Sequence, residues 1–134
     1  MKSQSDLVKG WVRKADSDLA NAGLCISSNT ALDTACFHAQ QAAEKVIKAY
    51  LIAFNLTSPF IHNVEKLIEI AEQHDAAFQQ VKSLGQSLTP YAVQLRYDED
   101  FWPTLSEASA AVQAAQTLRA FVLSRLPAAM QPPP

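Results

Sequence analysis

The stretch "CFHAQQAAEKVIKAYLI", Cys36 to Ile52, carries polar residues whose types can handle an anion. His38, Gln41, Lys45 and Lys48 recur at helical spacing and fall on one strip. An imidazole, an amide and two ammonium groups on one line can hold a phosphate through charge and hydrogen bonds. The same strip also describes an ordinary solvated helix face, and spacing leaves both readings open. His62 stands just ahead of a further helical run. Unpaired backbone donors and the positive dipole end collect anions at such a place, although a histidine there can also simply cover the first turn. His74, near the end of that run, suits the negative end of the dipole. In "YAVQLRYDED", Arg96 and Tyr97 are followed by three acids. Arg96 either pairs with Asp98, Glu99 or Asp100, or points into a groove beside the second helix and meets a phosphate. The flanking tyrosines can stack a base.

Other chemistries lack their residues. The sequence has no glycine-rich phosphate loop, no nucleophile elbow and no pair of histidines at metal-ligand spacing on a helix. Neither a metal nor a cofactor is expected. Cys25 and Cys36 have neither metal-ligand nor redox spacing and no adjacent activator, which reads as two reduced thiols.

Helices must position these residues. Val8, Trp11, Val12, Ala15, Leu19, Ala22 and Ile26 form one face of a first helix, about Ser5 to Ile26, with Ser3 and Asp6 at capping-box spacing. A second helix starts near Thr30, with Asp33 three residues on. Its alanines Ala35, Ala39, Ala42, Ala43, Ala49 and Ala53 join Leu32, Val46 and Tyr50 in a broad stripe, which Cys36, Ile47, Leu51 and Phe54 widen. A helix apolar over so much arc packs against at least two neighbours. A third helix is expected from about His62 to Gln73, and a fourth from about Ala76. The fourth breaks at Thr89-Pro90, read as an N-cap and first helical position, with a short segment on to about Tyr97. Thr104 and Glu107 cap a fifth helix that buries Leu105, Ala108, Ala111, Val112, Ala115, Leu118 and Val122. The fold class is all-α: an antiparallel up-and-down four-helix bundle with an additional short helix.

Composition agrees. The 134 residues suit one domain, and 49% apolar with 18% charged residues is globular. A net charge of −2 excludes a global pull toward nucleic acid, so any such site is a local patch. No window has the length and apolarity of a signal peptide or a membrane span, and a cytoplasmic protein is expected. Residues 1–127 read as the bundle and 128–134, "AAMQPPP", as a disordered Pro-rich tail.

"FHAQQAAEK", then "IHNVEKL", then "YAVQLRY" form an ordered set that resembles the HEPN family (higher eukaryotes and prokaryotes nucleotide-binding domain). The resemblance runs from Trp11 through the fifth helix. It implies a helical bundle, usually dimeric, and two kinds of role. Many prokaryotic members act with a minimal nucleotidyltransferase in a toxin–antitoxin or nucleotide-modifying module. Others are metal-independent ribonucleases, with an Arg followed after about four to six residues by a His. None of Arg13, Arg96, Arg119 and Arg125 has a His at that distance downstream, and Asp98 stands where the family tends to have a proline. The resemblance therefore implies a nucleotide-binding and partner-binding component, with a nucleotidyltransferase as partner. An RNA-cleaving toxin using Arg96 with His62 or His38, and a plain helical interaction module, remain alternatives. In the family order, His38, Gln41, Lys45, His62, Arg96 and Tyr97 are the candidate ligand-binding residues. A homodimer is expected, both from the resemblance and from apolar surplus such as Phe101 and Trp102.

Overall fold

The capping box expected at the start forms: the Ser3 hydroxyl accepts from the Asp6 amide at 3.1 Å and Asp6 accepts from the Ser3 amide at 3.2 Å. It opens α1, Gln4–Ser28, in a computed structural model that describes residues 1–132. α2 is Leu32–Ala53, α3 Val64–His74, α4 Lys82–Leu88 and α5 Leu105–Arg125. Short 3-10 segments lie at Ala76–Val81, Thr89–Tyr91 and Ala128–Met130, and no strand occurs among the described residues. Three boundaries differ from the sequence expectation, each for a local reason. Thr30 does not cap α2: its hydroxyl meets Ser28 Oγ at 2.7 Å, while Ala31 takes the left-handed conformation with φ 51° and begins the helix without a side-chain cap. Asn63, not His62, caps α3 by accepting from the Lys66 amide at 3.0 Å, which leaves His62 outside the helix. Thr89 is not an N-cap. Its hydroxyl donates to the Gly85 carbonyl at 2.8 Å and accepts from the Glu65 amide at 3.3 Å, tying the end of α4 to α3.

α2 is the hub, packing against α1, α3, α4 and α5. Ala35, Ala39, Ala42, Ala43 and Ala49 are all buried, and their small side chains let the neighbouring backbones approach closely. Tyr50, Ile47 and Leu51 fill the space around them with Phe78, Leu67 and Leu118 from the other elements. Gly85 marks a similar close approach of α4 to α3: a Cβ there would lie 2.5 Å from Ile68 Cδ1. α5 has its Thr104–Glu107 capping box, with the Thr104 hydroxyl accepting from the Glu107 amide at 3.1 Å. Leu105, expected inside, is 42% exposed because it lies in the first turn, before α5 reaches the core. His74 shares a hydrogen bond with the Tyr50 hydroxyl at 2.8 Å and packs on Phe54, so its place is set by aromatic contact as well as by the helix end. Of the proline-rich end, Ala128–Met130 form a 3-10 turn with Met130 against the core, whereas 133–134 lie outside the described residues.

Burial pushes the Cys36 thiol from its ordinary 9.0 to about 11 and the Tyr50 hydroxyl from 10.0 to about 12. Both folded values lie above the unfolded ones. Their contribution to stability is therefore complete below about pH 9 and is lost as pH rises through about 11 and then about 12. Circular dichroism across an alkaline titration should show unfolding in that window and none on the neutral side of it. A thiol-reactive disulfide reagent at neutral pH should reach Cys36 only after denaturation.

Candidate functional site

The polar strip of α2 does not face open water. α1 covers it on one side, and the chain ahead of α3 covers it on the other. Two buried carboxylates organise what lies beneath. Asp18 of α1 is 8% exposed and sits between two of the candidates. Its Oδ1 accepts from His38 Nδ1 at 2.8 Å and its Oδ2 accepts from Lys45 Nζ at 2.6 Å. A carboxylate can only accept, so Nδ1 carries the proton, and in the neutral ring Nε2 accepts from Asn21 Nδ2 at 3.2 Å. The ring is fixed in position and in tautomer.

Glu44 is the second carboxylate, 3% exposed within α2. It accepts from Lys48 Nζ at 2.9 Å, His62 Nδ1 at 3.0 Å, Gln40 Nε2 at 3.2 Å and Gln41 Nε2 at 3.3 Å. Gln40, itself fully buried, also donates to the His62 carbonyl at 3.2 Å, and its Oε1 accepts from Gln41 at 2.7 Å. No buried side-chain nitrogen or oxygen among the described residues lacks a partner. This network fastens the chain ahead of α3 to the middle of α2.

The six candidates therefore separate into two groups. Gln41 and His62 belong to the Glu44 network, where a carboxylate already occupies them. His38, Arg96 and Tyr97 line one cleft together with Asp33, Thr34 and Phe37, with a volume of about 390 Å³. Lys45 joins this cleft only through Asp18. The four cationic candidates do not form the single repelling cluster that the sequence spacing suggested, because Asp18 and Glu44 intervene.

Within the cleft, the Arg96 guanidinium carbon lies 4.1 Å from the Phe37 ring centre and 5.3 Å from that of Tyr97. Nη1 donates to the Tyr97 hydroxyl at 3.1 Å. Among the described residues no carboxylate forms an ion pair with Arg96, in spite of the three acids that follow it. Asp98 instead accepts from the Asp100 amide at 2.9 Å within its own turn. A guanidinium held on an aromatic ring and lacking an anion keeps its outer donors available. The cleft thus offers a cation, two aromatic faces, a fixed imidazole, a hydroxyl and one acid. No group of three or more His, Cys, Asp or Glu among the described residues is placed to hold a metal ion.

Sequence reasoning missed Asp18, Gln40, Glu44 and Phe37. The signal was present for three of them. Gln40 and Glu44 continue the i, i+4 row that starts at Cys36, and Asp18 lies between Ala15 and Ala22 on the apolar side of α1. A polar residue within an apolar row is buried with a partner or is destabilising.

Removing the hub of the larger network should be costly. Glu44→Ala strands the half-buried Lys48 ammonium and two amides, and is expected to cost about 3 kcal/mol in urea unfolding. Glu44→Gln, which keeps the shape and an acceptor, should lose less. A loss from Glu44→Ala under about 0.5 kcal/mol, the scale of a surface pair, would mean that water reaches the carboxylate and the network is ornamental.

The sequence model of the HEPN domain matches residues 8–126. The chain's fold is similar to the crystal structure of TT1696 from Thermus thermophilus, at TM-score 0.79 and 24% identity, covering 89% of this chain and 98% of that one. It is also similar to ST0689, described as an archaeal HEPN homologue, at TM-score 0.73 and 22% identity, covering 93% of this chain and 98% of that one. No curated protein sequence matches. At such identities the two structures speak for the fold, while the domain match spans α1 through α5: the chain belongs to the HEPN domain family.

Proposed function

We propose that this HEPN domain is a nucleotide-binding component that works with a partner nucleotidyltransferase in a toxin–antitoxin-like module. The observation that carries the nucleotide part is Arg96. It is cationic, lies on Phe37, has no carboxylate partner among the described residues and opens into the cleft shared with His38 and Tyr97. A nucleotide would place a phosphate on Arg96, its base against Tyr97 or Phe37, and its ribose hydroxyls toward Asp33. His38, held by Asp18, would donate or accept only after Asn21 releases its Nε2. In this reading Lys45 supports the cleft through Asp18, which also holds His38, whereas Gln41 and His62 are taken up by Glu44 and do not touch the ligand. The partner is suggested by family resemblance, and a homodimer by the same resemblance together with exposed Trp102 (74%), Val93 (56%) and Phe60. A cytoplasmic location remains the expectation. No helix among the described residues is long and apolar enough to cross a membrane.

A second reading is metal-independent RNA cleavage. It is favoured by the placement of Arg96 and His38 in one cleft, a cation for the developing phosphorane charge beside a proton-transfer group. The missing downstream histidine makes it the lesser reading. It predicts growth arrest on expression, relieved by Arg96→Ala, and cleavage of mixed RNA in chelator.

Thermal melts with AMP, ATP and inorganic phosphate test the first reading. Ligand at a hundred times its dissociation constant should add roughly 2.7 kcal/mol, a rise of several degrees for a domain of this size. Arg96→Ala should abolish the rise and leave the unliganded melt unchanged, because its side chain is exposed. No rise at millimolar nucleotide would overturn it. Co-expression with a nucleotidyltransferase encoded next to this gene should give a complex that co-elutes, and failure to co-elute removes the pairing.

A further inference from the structure

The cations that have no carboxylate partner among the described residues are not scattered. Lys45, Lys48, Lys82, Arg119 and Arg125 are all ion-paired. Of the unpaired ones, Lys66 and Arg96 stand alone, whereas Lys2, Lys9, Arg13 and Lys14 crowd the beginning of the chain. Three of these four, Lys2, Arg13 and Lys14, line one groove of about 690 Å³, larger in volume than the Arg96 cleft. Lys45 of α2 closes its far side. Asp6 also lines the groove, with its carboxylate engaged in the Ser3 cap.

The floor is apolar. Leu7 and Trp11, one turn apart on α1, lie in the groove, Leu7 being 41% exposed and Trp11 half-buried beneath the Lys48 ammonium. Between them lies Gly10. A glycine inside a helix costs about 1 kcal/mol relative to alanine. Nothing in the packing asks for one here, since a Cβ at Gly10 would meet no atom within 4 Å. Its effect is to leave the groove open along the helix. Positive walls around an aromatic and apolar floor are the arrangement that binds a single strand, with phosphates on the cations and bases on the ring. An acidic peptide would use the same walls but brings a ring only where it has an aromatic residue, whereas every nucleotide of a strand carries a base to lay on Trp11.

We propose that this face of α1, from Lys2 to Ser17 and closed by Lys45, is a groove for a single-stranded nucleic acid, separate from the Arg96 cleft. The proposal does not rest on what the cleft takes. Its neighbourhood is suggestive, because Lys45 on the groove wall and His38 on the cleft wall share Asp18. A strand lying along α1 would run toward the cleft.

Fluorescence anisotropy of a labelled oligouridine with the full chain tests this. Three unpaired cations imply a slope of about −2 in log affinity against log salt, so raising salt from 50 to 200 mM should weaken binding about sixteenfold. Arg13→Gln with Lys14→Gln should weaken binding at least tenfold and flatten that slope. Gly10→Leu fills the groove at unchanged charge and should also weaken binding, while Lys66→Gln, which removes an unpaired cation remote from the groove, should not. Melting curves check that each variant folds. Equal losses from Lys66→Gln would reduce the effect to net charge, and an inert Gly10→Leu would show that no groove is used. Loss with Arg96→Ala alone would place the strand in the cleft. Equal affinity for polyglutamate, or binding to phosphatidylserine vesicles without binding to oligouridine, would assign the face to an acidic protein or a membrane. Any of these results overturns the proposal.

Discussion

The close packing of α2 governs this molecule. Its alanines bring α1, α3, α4 and α5 near enough that almost no side of the helix is left to water. Each buried polar group that α2 carries must then be matched inside protein, because an unpartnered buried donor or acceptor costs more than a hydrogen bond returns. Glu44, Gln40 and the half-buried Lys45 and Lys48 follow from that constraint. The matching partners come from elsewhere in the chain, Asp18 from α1 and His62 from the segment ahead of α3. Packing and electrostatics are therefore one problem here, solved by the same contacts.

The solution sorts the positive charges by availability. Cations that lie over α2 are neutralised by Asp18 and Glu44, and those of α5 by Asp16 and Asp75. Among the described residues, what stays free is peripheral: Lys66 on α3, Arg96 on a segment of turns after α4, and the basic beginning of α1. Arg96 reaches its place because Thr89 ties the end of α4 to α3, and because the turns that follow bring the guanidinium over Phe37. An aromatic ring is an economical support for such a group, since it orients the cation without supplying the anion that would satisfy it. A binding cleft and a structural ion pair differ in this respect more than in the residues that they use.

The two networks also differ in what they permit. The Glu44 network has a buried hub and an exposed edge at His62, with donors from four side chains converging on one carboxylate, which suits a fixed joint. The Asp18 pair lies next to a cleft, and the imidazole that it holds has its second nitrogen on an exposed asparagine amide. The first stabilises the fold. The second presents a side chain.

Much of this was legible in the sequence, because helices are written locally. The i, i+3 and i+4 rows of Val8, Val12 and Ala15, the alanines of α2 and the two capping boxes each depend on residues within a turn of one another, and the all-α bundle followed from them. Membership of the HEPN family was readable from the ordered set of His38, Gln41, His62, Arg96 and Tyr97, since order along the chain survives without coordinates. Which of those residues share a site was not. The polar strip of α2 has the same spacing whether it faces water, a phosphate or α1. Only the approach of α1 placed Asp18 between His38 and Lys45, only the chain ahead of α3 gave Glu44 to His62, and only the turns after Thr89 brought Arg96 onto Phe37. Those pairings join residues far apart in sequence, and their energies come from burial and proximity, which no local pattern encodes.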